Sequence, residues 1–397
     1  MVNYDFLSVY FYSVPNLRFE KFNNNWSRTT ISKVCVCNPK NEDKLDDEFI
    51  YIDLESVEKG VLKSKNIIHL KNAPSRAQRI LYKNDILFQS VRPYQRNNYL
   101  LNEDDDFLQY VASTGYIQLR TTLNPYFLFQ LLNTDKINNE VMLRCTGTSY
   151  PAINSNDFSN ILITITNDRN EQNKIAKFFS LIEERIQTQI KIIELKQSLI
   201  KDIEDRILWK TTNTQTKPIR EFLTEINNKS IIQNQYPLLS STKKGLFLQT
   251  DYFNKEAASS NNIGYKIVHK GDIIISPQNL WMGNITYNDK FDNGLVSPSY
   301  RIYKVKEEYN AFYISRILMS YRALSLYKNI SEQGASIVRR NLNVDAFNEL
   351  CFPIPNIKKQ DEVGLFLSKL HQELKCETWI LMQLKSQKNY LLNNMFI

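Results

Sequence analysis

The chain of 397 residues lacks most of what enzymes display. It has only ten glycines, and neither Gly-x-Gly-x-x-Gly nor a Walker-type loop occurs. This excludes the common backbone cradles for dinucleotides and nucleoside triphosphates. Gly-x-Ser-x-Gly and His-Glu-x-x-His are also missing, which removes two hydrolase templates. The three histidines, His69, His269 and His371, are scattered and form no ligand cluster. Five cysteines, an odd number without framework spacing, point to a reducing compartment. Cys35 and Cys37 are close, but with no other Cys or His nearby they make a poor zinc site. The acidic run Glu103-Asp104-Asp105-Asp106 reads as a solvated turn rather than a metal site. No run of 18 apolar residues exists, so no membrane span is expected. The segment Met1 to Pro15 has no basic n-region and no small-residue cleavage site, so it is not read as a secretory signal.

What the chain does have is an internal repeat. An offset of 188 residues carries Ile175, Phe179, Ile182, Ile186, Ile190, Ile193, Ile203 and Ile207 onto Val363, Leu367, Leu370, Leu374, Thr378, Leu381, Leu391 and Met395. All but Thr378 stay apolar. With small gaps the match extends upstream. Asn-Asp-Ile-Leu-Phe at 84–88 answers Gly-Asp-Ile-Ile-Ile at 271–275, and Lys59-Gly60 answers Lys244-Gly245. Gly147 answers Gly334, and Glu171-Gln172 answers Lys359-Gln360. A duplicated globular unit, each copy closed by a helix, presents two related surfaces.

The helices are expected at about 170–209 and 358–395. The first contains no Gly or Pro and steps its apolar residues by 4, 3, 4, 4 and 3 from Ile175, a heptad-like seam with one irregularity near Ser198. A lone seam of this kind costs free energy in water, so each helix is expected to pair with the other, antiparallel. The competing expectation is that each packs on its own domain. Short β-type runs are expected at 49–54, 67–70, 79–89, 115–120, 161–166, 246–249, 265–275 and 300–305, with helical stretches at 125–133 and 309–326. The polar stretch 210–217 before Pro218 reads as a linker. The division is thus an arm (1–25), a first domain (26–167), a first helix (168–211), a second domain (212–355) and a second helix (356–397), of mixed α/β (α+β) class.

The net charge of +8 and a sequence pI near 9.0 favour an anionic partner. Two pairs of loops carry the residues that suit nucleic acid. The loop at 90–98 offers Arg92, Tyr94, Arg96, Asn97 and Asn98; its counterpart at 277–284 offers Gln278, Asn279, Trp281 and Asn284. Both follow the matched Asp-Ile strand. The second pair surrounds the matched glycines, with Arg144, Thr146 and Ser149 in one copy and Ser336, Arg339 and Arg340 in the other. Lys243 and Lys244 add charge. Arg suits guanine edges, Asn and Gln suit adenine edges, and Arg and Lys also hold phosphates. Base contact is expected of Arg92 or Arg96, and phosphate contact of Arg339 or Arg340. Asn124-Pro125-Tyr126-Phe127 is similar to the Asn-Pro-Pro-Tyr motif of amino-methyltransferases, but it lacks the second proline and has no glycine-rich cofactor motif nearby.

Gly147-Thr148-Ser149-Tyr150-Pro151-Ala152-Ile153, then a strand, then Asn170-Glu171-Gln172 and a long helix, resembles the domain-to-helix junction of type I restriction-modification specificity subunits. The opening Val14-Pro15-Asn16-Leu17-Arg18-Phe19, followed by Trp26, resembles the same family. The second copy departs from the pattern: Ile337-Val338-Arg339-Arg340 replaces Tyr-Pro-Ala-Ile. The resemblance implies two tandem target recognition domains joined through an antiparallel two-helix coiled coil. It implies a non-catalytic reader of double-stranded DNA, each domain taking one half of a bipartite, asymmetric target. Two methylation subunits carrying S-adenosylmethionine would dock on the helices, and restriction subunits using ATP and Mg would complete the complex. No cofactor or metal is expected in this chain, and a bacterial or archaeal cytoplasm, near the nucleoid, is the implied location. The competing readings are a self-sufficient adenine methyltransferase and a coiled-coil operator-binding regulator. The first needs a cofactor loop that is missing, and the second needs a homodimer that the internal duplication makes redundant.

Overall fold

The computed structural model describes residues 14–102, 107–243, 245–252, 261–333 and 340–397. The chain divides into two compact units. One runs to Ile190 and takes in Ile380–Ile397; the other is Lys191–Trp379. Each unit therefore owns a domain, half of one long helix and half of the other.

In the first unit, strand Ser27–Thr30 pairs antiparallel with Leu162–Ile165 just before the long helix. One helical turn, Ile31–Val34, then feeds a four-stranded sheet ordered Cys35–Cys37, Tyr116–Thr121, Ile86–Gln89, Tyr99–Leu100. A second sheet is ordered Asn66–His69, Glu48–Ile52, Gln109–Ser113, Ala77–Leu81, with its central pair parallel. Helices Pro125–Leu132 and Asp135–Arg144 cover the core. The second unit repeats this order. Gln215–Pro218 pairs with Cys351–Ile354, one turn (Ile219–Phe222) follows, and a sheet is ordered Leu223–Ile226, Arg301–Val305, Ile273–Ile275, Ile285–Tyr287. Helices Ala311–Leu318 and Tyr321–Asn329 correspond to the first pair.

Several expected elements are cut by local chemistry. The run 79–89 breaks at Asn84, which takes a positive φ of 73°, and its two strands go to different sheets. The run 265–275 breaks at Gly271, φ 93°. The stretch 309–326 becomes two helices because the Ser320 side chain caps a new one. The 210–217 linker is shorter than expected, since Gln215–Pro218 is drawn into a strand.

The long helices run Arg169–Lys210 and Ile357–Met395. Within the second unit, Lys196 Nζ meets Glu377 at 2.8 Å and His371 Nε2 meets Glu204 at 2.8 Å. Numbers rise on one helix as they fall on the other, so the halves in this unit are antiparallel. Within the first unit, Phe179 stacks on Phe396 and Glu183 pairs with Lys388, which gives the same sense. The two expectations for the seam divide the helix between them. Ile175 and Phe179 enter the first domain's own core, joined there by Leu392 and Met395 from the other helix and by Phe396 just beyond it.

The junction between domain and helix is built twice from one device. Gln172, buried, accepts from Asn124 N through Oε1 (2.9 Å) and donates through Nε2 to Thr166 O (2.9 Å). Gln360 does the same with Asn310 N (3.0 Å) and Pro355 O (2.8 Å). Asn124 and Asn310 in turn cap their helices by accepting from Phe127 N and Tyr313 N. The lone glycine of the second long helix, Gly364, has its reason here: a Cβ at that position would stand 3.0 Å from Asn310 Oδ1. The described part of the N-terminal arm is packed. Arg18 grips the buried Glu171 with two bonds of 2.7 and 2.9 Å, and Trp26 Nε1 donates to the same carboxylate at 3.4 Å.

Candidate nucleic-acid interface

In the first unit the two candidate loops meet. Arg92 N donates to Pro151 O at 2.7 Å, Ile153 N to Ser90 O at 3.0 Å, and Val91 bridges Ala152. The loop after strand Ile86–Gln89 is a single tight turn, Pro93–Gln95, flanked by Arg92 and Arg96, both left-handed at φ 54°. Non-glycine residues adopt this conformation only when their surroundings enforce it. Buried Gln89 supplies much of that enforcement. Its Oε1 accepts from Asn97 N at 3.0 Å and its Nε2 donates to Gln95 at 2.8 Å. The Arg92 guanidinium lies over the Tyr150 ring, 4.3 Å from the centroid. Tyr94, Thr146 and Ser149 are exposed beside it. Gly147 makes the second loop's turn at φ 90°.

Three residues nominated from this sequence stretch are held by their own fold. Asn98 is buried, accepting from Gln89 N and donating to Asn133 Oδ1, so it shapes the loop. Asn97 Oδ1 is taken by Lys59 N. Arg96 is bound to Asp135 at 2.7 Å and reaches Asn133 O at 3.4 Å. Arg96, expected alongside Arg92 as a base contact, is thus ion-paired within its own unit. Asp135 is held below the ordinary carboxylate range, chiefly by the Arg96 hydrogen bond, against desolvation and with help from Asn393. Arg144 is likewise paired, with Glu140 one helical turn back.

In the second unit the loop after strand Ile273–Ile275 meets Arg340, the first residue of strand Arg340–Leu342. Arg340 N donates to Gln278 O at 3.2 Å, and the Arg340 guanidinium lies 4.6 Å from the Trp281 ring centroid. The turn Leu280–Met282 is closed by Gly283 at φ 87°, the position that Arg96 fills in the first unit. Asn279 holds the turn through its carbonyl, which accepts from Met282 N and Asn284 N, and the Asn284 side chain accepts from Ser241 Oγ at 3.1 Å. Gln278 and Lys243 are exposed. Lys244, Ser336 and Arg339 lie outside the described residues.

Two other sequence candidates find structural roles. Asn124-Pro125-Tyr126-Phe127 is a helix start, with Asn124 as cap and Pro125 in the first turn. Cys35 is buried, which pushes its thiol up to about 12. Among the described residues no group of three His, Cys, Asp or Glu is placed to hold a metal, and no helix is long and apolar enough to cross a membrane. Sequence reading passed over Gln89 and Asp135, which show no pattern, and left out Tyr150 although it stood inside the glycine motif.

No family model matches the chain. It is 28% identical over 144 residues to the HindI type I restriction enzyme specificity subunit of Haemophilus influenzae. That match covers 34% of this chain and spans about a third, 31%, of the relative's length. A chain from a structural study of complex assembly and conformational transition in the type I R-M system superposes with a TM-score of 0.58 at 18% identity, covering 93% of this chain and 97% of that one. The S subunit of the type I restriction-modification system of M. genitalium superposes with a TM-score of 0.56 at 16% identity, covering 97% and 99%. The chain has the fold of type I restriction-modification S subunits. The resemblance drawn from its motifs is borne out by these likenesses.

Proposed function

We propose that the chain is the DNA-specificity subunit of a type I restriction-modification complex, with the loops of the first unit reading one half of a bipartite target and those of the second unit reading the other. One observation carries the reading. In the first unit two loops that the sequence marks separately converge beside a matched strand, in the second Arg340 lies against the corresponding strand loop, and the residues differ between copies. Related scaffolds with unlike loops suit a target with unlike halves. The chain itself supplies recognition and no chemistry. S-adenosylmethionine belongs to two methylation subunits docked on the long helices, and ATP with Mg to the restriction subunits. The helix pair would set the gap between half-sites. The Asn124 motif gives no support to a self-sufficient methyltransferase, since its asparagine is spent on a helix cap.

The test is a domain exchange. Residues 218–355 are replaced by the matching region of a relative, and methylated adenines are mapped in cells that express the assembled complex. One half of the methylated sequence should change while the other stays. A change in both halves overturns the modular reading.

A further inference from the structure

Four arginines of the candidate loops are described, and they fall into two kinds. Arg96 and Arg144 are paired with carboxylates of their own fold, Asp135 and Glu140. Arg92 and Arg340 have no carboxylate partner among the described residues; each lies instead on an aromatic ring, of Tyr150 at 4.3 Å and Trp281 at 4.6 Å. The distinction is chemical. A carboxylate neutralises the guanidinium and occupies its donor edge. A ring attracts the cation through its face, fixes the plane, and leaves the N–H edge to an outside acceptor.

The two stacks are also reciprocal. In the first unit the cation comes from the loop after the Asp-Ile strand and the ring from the glycine loop. In the second the ring comes from the strand loop and the cation from the start of strand Arg340–Leu342. The first stack joins two loops and the second joins a loop to a strand start, so both copies carry one oriented guanidinium beside the matched strand loop. At the second junction Trp281 Nε1 and Arg340 Nε are shut off from solvent with no acceptor among the described residues. Buried donors are rarely left so.

We infer that Arg92 and Arg340 are the specificity-determining arginines, one for each half-site, and that Tyr150 and Trp281 are positioning residues that hold those guanidiniums in the plane of a base edge. The inference rests on the proposed DNA reading and narrows it to one cation per unit. A guanidinium fixed in a plane and presenting two parallel N–H groups matches the O6 and N7 acceptors of guanine. Arg96 and Arg144 are excluded from that role.

The experiment uses the full-length chain assembled with its methylation subunits, a pool of duplexes with randomised positions, and Arg92→Ala, Tyr150→Ala, Tyr150→Phe, Arg340→Ala, Trp281→Ala, Trp281→Phe and Arg96→Ala. Arg92→Ala should cut the preference at one base pair of one half-site by roughly 5- to 150-fold, the range of a single two-pronged contact. Tyr150→Ala should relax that same base pair, Tyr150→Phe should retain it, and Arg92→Ala with Tyr150→Ala should be no worse than Arg92→Ala alone. Arg340 and Trp281 should behave likewise on the other half, with Trp281→Phe retaining preference. Arg96→Ala should leave base preference unchanged. If the parent complex shows a bipartite preference and the Arg92 and Arg340 variants keep it, the inference is overturned while the proposed function stands. Ring removal that weakens binding evenly at every base pair overturns the inference in the same way. A parent complex without any sequence preference overturns both.

Discussion

Arg96 Nη2 lies 2.7 Å from Asp135 Oδ1, and Asp135 is held in turn by Asn393 of the last helical turn. A loop residue nominated for DNA is thus tied through a helix start to the chain's C-terminal segment. Arg96 also occupies a left-handed position that its counterpart, Gly283, takes with less strain.

The first prediction concerns this pair. Both side chains are partly exposed, so Asp135→Asn should cost no more than about 1 kcal/mol after solvent screening. The folded carboxyl sits below its ordinary value, so its contribution is full above the unfolded value of about 3.9 and fades as pH falls through the folded one. Urea unfolding of parent and Asp135→Asn across that window should therefore converge at low pH. A difference that grows on acidification would contradict the pairing.

The second concerns the junction glutamines. Gln172→Ala leaves Asn124 N and Thr166 O without partners, and Gln360→Ala does the same to Asn310 N and Pro355 O. An unmet buried group costs about 1–3 kcal/mol. Each variant should lose about 2 kcal/mol or more in the unit that carries it. Gln→Glu should not rescue, because a carboxylate cannot donate to the carbonyl. Denaturation followed by hydrogen exchange would locate the loss.

The third concerns Glu204, which accepts two bonds from Arg316, of 2.6 and 2.9 Å, and one contact from His371 at 2.8 Å. Burial alone would raise the Glu204 carboxyl, but its bonds with His371 and Arg316 outweigh burial and lower it. Arg316→Ala takes two of three bonds from a buried carboxylate and should cost about 3 kcal/mol, whereas joint replacement of Arg316 and Glu204 by Met and Leu should cost far less. Parent stability from this group should fall as pH drops through the folded Glu204 value. Equal losses in the single and double variants, measured by urea titration, would contradict this account.

The fourth concerns the spacer. Four residues inserted in the first long helix add about 6 Å, close to one turn. In an assembled complex the gap between methylated half-sites should change by at least one base pair, read from methylated-adenine maps. An intact complex with an unchanged gap would remove the spacer role.

Sequence alone determined the duplication, the two long helices and the absence of the sought catalytic motifs. Apolar spacing and the lack of Gly or Pro in residues 169–210 are local properties that survive without tertiary context. Where a run would break was less legible: Asn84, Gly271 and Ser320 act through backbone conformation and capping, which apolar patterning does not register. The fate of each arginine was decided only in three dimensions. Arg92 and Arg96 stand four residues apart in one loop and read alike in sequence. Asp135, 39 positions away, pairs with one; the Tyr150 ring, 58 positions away, lies under the other. Whether a cation faces a carboxylate or a ring depends on long-range packing, which spacing along the chain does not encode.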